Sequence, residues 1–451
     1  MTEPLLPGTA RALEVLLAEA QRRGRLPSVV AGVVRDGQPA WCGARGRAVR
    51  AGEQSRGTAD TQYKIGSVTK TMTAALVLLA RERGELALGD PLVRYVPDAP
   101  FPDATLRSLL SHSAGLSAEP AGEWWERSRG GDWTALATAH EGARPVLEPG
   151  GQFHYTNLGF GLLGEVAARV SGQGWWEALQ EQVLTPLGMT RTSYHHQAPH
   201  AEGFAVDALT DELVPEPLPD TGAMAPAGQL WSTVTDLATW LRALVDPAAS
   251  VLSEQTLREL RTPLAGAPED RSGTSWGLGV HVVRDRGRVL VGHGGSMPGF
   301  VCGAEIDVDS RVGAVVLSNG AYGLGDLTRR LLQATLEHEP ALGAEWQPAS
   351  QVPDDARDVL GTWHWGHAPS RIRWTGGELV LEPVGGSGRL MAFRHAGPDT
   401  WVGTRAYLTG ETLRPVRRSD GSVSHLEAAT FVYTRVPYDP QAPIPGGAPG
   451  R

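Results

Sequence analysis

The predicted strands of the first 340 residues lie at the two ends of that stretch, and their placement constrains the fold more than any other feature. A hairpin is expected where apolar runs at 29–35 and 39–45 flank a favoured two-residue turn, Asp36-Gly37. Further strands are predicted at 277–283, 288–292, 301–308 and 311–318. The stretch 97–226 has helical and loop patterns instead. We therefore expect an α+β catalytic domain over 1–340, with an antiparallel sheet built from both ends, flanking helices and a helical lobe.

The pattern changes after residue 340. A Pro-containing segment at 341–353 has the composition of a linker, and the tail at 439–451 is rich in Pro and Gly and is expected to be disordered. Between them, short alternating strands are predicted at 361–366, 371–374, 377–382, 400–403 and 430–436. These predict a separate all-β domain at 354–438, forming a small barrel.

Composition narrows the possible partners and the compartment. The net charge of −9 offers no electrostatic reason for nucleic acid or an anionic membrane to bind. No segment is apolar and long enough for a signal peptide core or a bilayer span, so a cytoplasmic location is expected. Cys42 and Cys302 are far apart in strand-like runs and are expected to be reduced and buried.

Lys64 and Lys70 are the only lysines among 41 basic residues, and they flank Ser67. Arginine stays protonated in proteins, whereas a buried lysine can lose its proton. Positions three apart share a face of a helix, so Ser67 and Lys70 are expected to point the same way from the start of a helix at 71–83. That pair suggests a serine nucleophile with an amine as its base. A chance Ser-x-x-Lys on a surface helix is the alternative for these four residues alone.

Two further motifs carry the same chemistry. Tyr155 and Asn157 precede an apolar helix at 158–170. A tyrosine beside a cationic amine has its phenolate favoured, so Tyr155 is a candidate proton carrier. Asn157 is expected to hydrogen-bond Lys70 and the substrate amide. Without the other motifs, both residues are equally consistent with packing of a loop against a helix start.

The third motif is His293-Gly294-Gly295-Ser296, directly after the strand predicted at 288–292. Glycines at that place let a substrate backbone lie close against the strand. A simple turn is the alternative interpretation.

Together these motifs resemble the serine β-lactamase and penicillin-binding-protein superfamily, and most of all its branch of class C β-lactamases, D,D-peptidases, D-aminopeptidases and related esterases. The resemblance covers roughly residues 10–340 and includes the segments 109–116, 186–189 and 228–233. It implies the β-lactamase/transpeptidase-like fold. It also implies that Ser67 is acylated, that Lys70 is its base and Tyr155 a proton shuttle, and that Asn157 positions the substrate.

The resemblance further implies that the backbone amides of Ser67 and Ser296 form the oxyanion hole, with no cofactor or metal. The motif at His293 departs from the Lys-Thr-Gly of many β-lactam-recognising members, and no third lysine exists to supply it. A histidine is charged only part of the time near neutral pH, so weak β-lactamase activity at most is expected. Lys64, the other lysine beside Ser67, is expected to have no catalytic role and to lie at the surface.

The predicted function is that of a serine hydrolase or acyltransferase acting on a small ester or a peptide containing a D-residue. One alternative is a cyclase or thioesterase releasing nonribosomal peptides, because penicillin-binding-protein-type cyclases resemble this chain in the third-motif histidine and in a lipocalin-like C-terminal barrel. A non-catalytic binding or sensing homologue is the remaining alternative. The acyl group, the leaving group and the oligomeric state stay open.

Overall fold

The computed structural model describes residues 4–437, except 50–55, 151, 267–272, 341–344, 350 and 386–387. The linker predicted at 341–353 therefore lies only partly within the described residues, and the tail predicted at 439–451 lies outside them. The chain divides into two compact units, Met1–Ala341 and Leu342–Arg451.

The first unit contains a seven-stranded antiparallel sheet in the order β2-β1-β11-β10-β9-β8-β7. Its strands are β1 Ser28–Arg35, β2 Gln38–Gly46, β7 Thr274–Trp276, β8 His281–Asp285, β9 Arg288–Met297, β10 Phe300–Asp307 and β11 Val312–Ser318. The first strand pairs with the last, so the two ends of the unit meet in the middle of the sheet. The predicted α+β sheet from both chain ends is confirmed.

The remaining elements of this unit are helices and short strand pairs. The helices are α1 Pro7–Arg23, α2 Thr69–Glu82, α3 Leu106–Leu110, α4 Trp133–Ala139, α5 Leu158–Ser171, α6 Trp175–Leu179, α7 Ala225–Gly228, α8 Val234–Ala243, α9 Glu254–Leu260 and α10 Leu327–His338. The short strands are β3 Tyr63–Lys64, β4 Phe204–Val206, β5 Leu213–Pro215 and β6 Trp231–Ser232.

Alternation along β1 divides the core into two layers. Val29, Ala31 and Val33 pack with α1 and α10 on one face, while Val30 and Val34 pack with α2, α5 and α8 on the other. A strand sends successive side chains to opposite faces, so a continuous apolar run is what a strand covered on both faces requires. Helix α2, which follows Ser67, is therefore held between the sheet and the helical lobe.

Two local predictions were wrong. Cys42 is exposed on β2, although Cys302 is buried and both thiols are free. The predicted strand at 288–292 continues as β9 through Met297, because that segment pairs with β10.

The second unit is a helix followed by a closed antiparallel barrel of eight strands, which confirms the predicted barrel. Its elements are α11 Asp354–Val359 and β12 Gly361–Trp365, β13 Ala368–Thr375, β14 Glu378–Pro383, β15 Met391–Gly397, β16 Thr400–Arg405, β17 Thr412–Arg417, β18 Val423–Ala428 and β19 Phe431–Thr434. The sequence did not reveal β15, β17 and β18. Polar residues and Pro415 weaken their alternation, and pairing around the closed barrel supplies what local preference lacks.

In the described part of the chain, no helix combines the length and the apolar character that crossing a bilayer requires.

Candidate active site

Ser67 lies on a single 3-10 turn, Gly66–Val68, that leads directly into α2. It is partly exposed, whereas its neighbours along the turn and the start of the helix are buried. Lys70 has no exposed surface, and its Nζ donates to Ser67 Oγ at 2.9 Å and to the carbonyl oxygen of Ala227 at 2.7 Å. The two side chains therefore meet as their spacing predicted, with the hydroxyl toward solvent and the amine beneath it.

Burial gives the Lys70 amine an unusual pKa. Desolvation lowers its pKa from 10.5 to about 7, although the negative charges of Glu119 and Glu126 act in the opposite direction. An amine with that pKa is neutral in a large fraction of molecules near neutral pH. Lys70 is thus able to accept a proton from the hydroxyl to which it is hydrogen-bonded.

Tyr155 completes the contacts around the hydroxyl. Its side chain hydrogen-bonds Ser67, and its ring centroid is 5.2 Å from Lys70 Nζ. The ring also stacks on His112 at 4.3 Å. The expectation of a favoured phenolate was wrong: burial raises the pKa of Tyr155 and outweighs the hydrogen bond from Ser67, so the phenol keeps its proton.

Asn157 follows Tyr155 by two residues, but it does not hydrogen-bond Lys70, contrary to the prediction. Its Nδ2 donates to Glu119 Oε1 at 2.8 Å, and Ala227 supplies the carbonyl that Lys70 uses instead. Among the described residues, Asn157 Oδ1 is buried without a hydrogen-bond partner. Because this amide oxygen has no partner, it is available to accept a hydrogen bond from a donor on a bound substrate.

Strand β9 runs alongside the Ser67 turn at a very short distance. A Cβ on Gly295 would lie 2.0 Å from the carbonyl oxygen of Ile65 and 3.1 Å from the amide nitrogen of Ser67. A Cβ on Gly66, which has φ of +51°, would lie 2.6 Å from the amide nitrogen of Ser296. Only glycine fits this approach, which places the backbone at Ser67 beside that at Ser296.

The two glycines of the third motif thus have different surroundings. The chain's own turn fills the space beside Gly295, whereas the nearest atom to a Cβ on Gly294 would be the carbonyl oxygen of Cys302 at 3.8 Å. The expectation that glycines admit a substrate backbone therefore remains open for Gly294 alone.

His293 is buried on β9 and lies 5.1 Å, ring to ring, from Trp276. Its Nδ1 contacts the carbonyl oxygen of Gly294, and its Nε2 has no hydrogen-bond partner among the described residues. Burial, reinforced by the charge of Lys70, lowers the pKa of His293 well below 6.5. The ring is therefore neutral near pH 7, and this position carries no cation.

Known families account for both units. The protein-family model described as Beta-lactamase matches residues 13–338, which is well over half of the chain. The chain belongs to the β-lactamase family. It is a serine hydrolase of that family, and a second model, Domain of unknown function (DUF7586), matches residues 352–435.

Three similar proteins illustrate the family. Penicillin-binding protein 4 of Amycolatopsis lactamdurans is 28% identical over 330 residues, covering 68% of this chain and 85% of the relative. The D-alanyl-D-alanine-carboxypeptidase/endopeptidase AmpH of Escherichia coli K12 is 28% identical over 313 residues, covering 62% and 79%. The crystal structure of SurE with D-Leu matches with a TM-score of 0.60 at 26% identity, covering 96% of this chain and 100% of SurE.

Two carboxylates of this β-lactamase-family hydrolase were not predicted as site residues. Glu119 accepts from Asn157 Nδ2 and, at 2.7 Å, from Trp125 Nε1, so its side chain is held in one position. Glu126 accepts from Trp124 Nε1 at 3.0 Å, and burial raises its pKa. For Glu119, the tryptophan at position 125 was a usable signal, because a buried indole N–H needs an acceptor.

Lys64 is also part of this hydrolase's interior, and the prediction of a surface side chain was wrong. It is 2% exposed, with Nζ 3.4 Å from the carbonyl oxygen of Pro219 and 3.5 Å from Gln229 Oε1. Burial lowers its pKa to about 8, and Asp220 and Glu126 oppose that change. Pairing of β3 with β6 draws the residue inward, which a local sequence pattern does not report.

Proposed function

We propose that this enzyme cleaves an ester or a peptide containing a D-residue through an acyl-enzyme on Ser67. One observation carries the proposal: a fully buried lysine amine with a pKa of about 7 donates a 2.9 Å hydrogen bond to a partly exposed serine hydroxyl. No histidine base is needed for such a pair, since the neutral amine itself accepts the proton.

The proposed reaction begins when Lys70 takes the proton of Ser67 and Oγ attacks the substrate carbonyl carbon. The resulting oxyanion is stabilised by the backbone amides of Ser67 and Ser296. The bond to the leaving group then breaks, and that group receives a proton from the protonated phenol of Tyr155. The Tyr155 phenolate then takes from Lys70 the proton that Ser67 lost, which restores both side chains. Water attacks the acyl carbon, one of its protons returns to Ser67 Oγ, and the acid is released.

The charges around this pair favour one kind of substrate. Glu119 and Glu126 place negative charge near Lys70, and His293 is neutral. A substrate carboxylate finds no cation at position 293, whereas a substrate ammonium group is attracted by the charges of Glu119 and Glu126. We therefore propose an N-terminal D-aminoacyl ester or amide as the preferred acyl donor. AmpH is named for cleavage at D-alanyl-D-alanine and SurE was crystallised with D-Leu, which supports the D-configuration.

The proposal is tested by intact-mass measurement during incubation with D-alanine p-nitroanilide, its N-acetyl form, its L-enantiomer and nitrocefin. We expect an adduct on Ser67 and the fastest turnover with the unblocked D-anilide. The Ser67→Ala variant is the matched control and should form no adduct. Labelling that persists in that variant overturns the assignment of Ser67. Faster turnover of the acetylated substrate or of nitrocefin overturns the proposed substrate class.

A second candidate is transfer of the acyl group to an amine of the same peptide, which releases a cyclic product. It is supported by the histidine of the third motif and by the closed barrel of the second unit, two of the features in which the sequence resembles peptide cyclases. Incubation with a peptidyl thioester distinguishes the candidates. A cyclic product supports transfer, and linear acid alone contradicts it.

A further inference from the structure

The barrel has an open cavity at one end of its interior. Its volume is about 740 Å³, within the range of small-molecule sites. The lining includes Trp365, Ser370, Leu381, Met391 and Tyr433. The rest of the interior is filled, because large side chains such as Trp363, Phe393 and Trp401 form a packed core. The cavity is therefore a cup above a solid floor and does not run through the barrel.

Strand periodicity directs the lining side chains inward. Trp365 lies two residues after the core residue Trp363, and Tyr433 is itself part of the barrel core. Residues two apart on a strand point to the same side of a sheet. The cavity is thus a continuation of the barrel core that no side chain of the described residues fills.

Apolar side chains at the rim remain exposed to solvent. Trp365 is 54% exposed and Tyr407 is 62% exposed, and the Phe431 ring packs between them at 5.4 and 5.9 Å. Isolated exposed aromatic residues are ordinary, but three in contact at the mouth of a cavity form an apolar surface that a ligand would cover.

Three hydrogen-bond donors also line this cavity. Ser370 and Tyr433 are 8% and 3% exposed, and neither hydroxyl has a hydrogen-bond partner in the described part of the chain. Arg389 stacks over the Tyr407 ring at 4.9 Å, and no described carboxylate pairs with it. A stacked guanidinium keeps its N–H edge free for a carboxylate. The hydroxyls of Ser370 and Tyr433 and the exposed guanidinium of Arg389 can therefore donate to an acceptor that enters the cavity.

We propose that the barrel binds an amphiphilic carboxylic acid, with its apolar part in the cup and its carboxylate at Arg389. The cup supplies apolar surface, the hydroxyls of Ser370 and Tyr433 supply donors, and the Arg389 guanidinium supplies the charge. This site lies wholly within the second unit, and it is independent of the chemistry at Ser67.

The test is isothermal titration of the full chain with dodecanoate and, as a neutral match, dodecanol, each below its aggregation concentration. Dodecanoate is expected to bind one per chain and about tenfold more tightly than dodecanol, since a hydrogen bond to a charged group is worth roughly that factor. Arg389→Gln should weaken dodecanoate about tenfold and leave dodecanol unchanged. Arg414→Gln removes an exposed arginine from another strand of the barrel and should change neither.

Ala368→Trp, which places a bulky group in the cavity lining, should abolish binding of both molecules. Heat unfolding verifies that each variant is folded. Because Arg389→Gln changes an exposed side chain, the comparison of dodecanoate with dodecanol stands even if Ala368→Trp fails to fold. Three results overturn the proposal: no saturable binding to the wild-type chain, equal affinity for dodecanoate and dodecanol, or full dodecanoate binding by folded Ala368→Trp.

Discussion

The short approach between β9 and the Ser67 turn predicts that Gly295→Ala disables the enzyme without removing any reacting group. The new Cβ would lie 2.0 Å from the Ile65 carbonyl oxygen, whereas ordinary van der Waals contact begins at 3.4 Å. Both partners are backbone, so no side chain can rotate away. The strand must move by more than an ångström relative to the turn, and the amides of Ser67 and Ser296 separate.

The magnitude follows from the loss of one oxyanion donor, which costs about 10²- to 10³-fold in kcat. The assay is the rate of p-nitroaniline release from D-alanine p-nitroanilide, with heat unfolding measured in parallel. We expect kcat to fall by that factor while KM changes little, because the donor acts mainly in the transition state.

Gly294→Ala is a matched control in the adjacent residue. The same methyl group there would meet its nearest atom, the Cys302 carbonyl oxygen, at 3.8 Å, which is ordinary contact. The structure therefore predicts that Gly294→Ala keeps the amides of Ser67 and Ser296 in place and keeps kcat close to wild type. A folded Gly295→Ala variant that stays within threefold of wild-type kcat would contradict this role of the short approach, and so would an equal loss of kcat in Gly294→Ala.

Four further outcomes follow from the other site residues. The acylation rate should fall as pH drops through about 7, where Lys70 becomes protonated, and a pH-independent rate between 5 and 9 would contradict this. Because the pKa of Lys70 is lowered on folding, the unfolded chain binds more protons than the folded chain between about pH 7 and 10.5. The free energy of unfolding should therefore rise with pH across that window. In Lys70→Met this part of the rise should be missing when heat unfolding is measured as a function of pH. Tyr155→Phe should slow p-nitroanilide cleavage far more than p-nitrophenyl ester cleavage, because an aniline needs a proton to leave and a nitrophenolate does not; equal losses would exclude this role. Glu119→Gln should raise KM for the unblocked D-anilide several-fold and leave the N-acetyl form unaffected, and a matching rise for both would exclude recognition of the amine.

Much of the fold was predictable because strand and helix periodicity are local properties. The hairpin at 29–35 and 39–45 and the helix after Ser67 were predicted to within two or three residues of their observed bounds. The weakly alternating strands β15, β17 and β18 were missed, since barrel closure stabilises them more than their own residues do.

Part of the candidate site was equally predictable. The Ser67–Lys70 contact follows from a spacing of three residues at a helix start, which fixes the face on which both side chains lie. Asn157 bonds Glu119, and Lys70 bonds the carbonyl oxygen of Ala227. Both partners are distant along the chain, so no local sequence pattern predicts these contacts.

The amino-acid sequence by itself determined which reactive groups exist. It supplies one serine flanked by the chain's only two lysines, and it lacks a third lysine for the motif at His293. Tertiary structure alone decided the protonation of those groups, because desolvation depends on everything packed around an atom. Burial makes Lys70 a base near neutral pH, keeps Tyr155 protonated and His293 uncharged, and draws Lys64 into the interior.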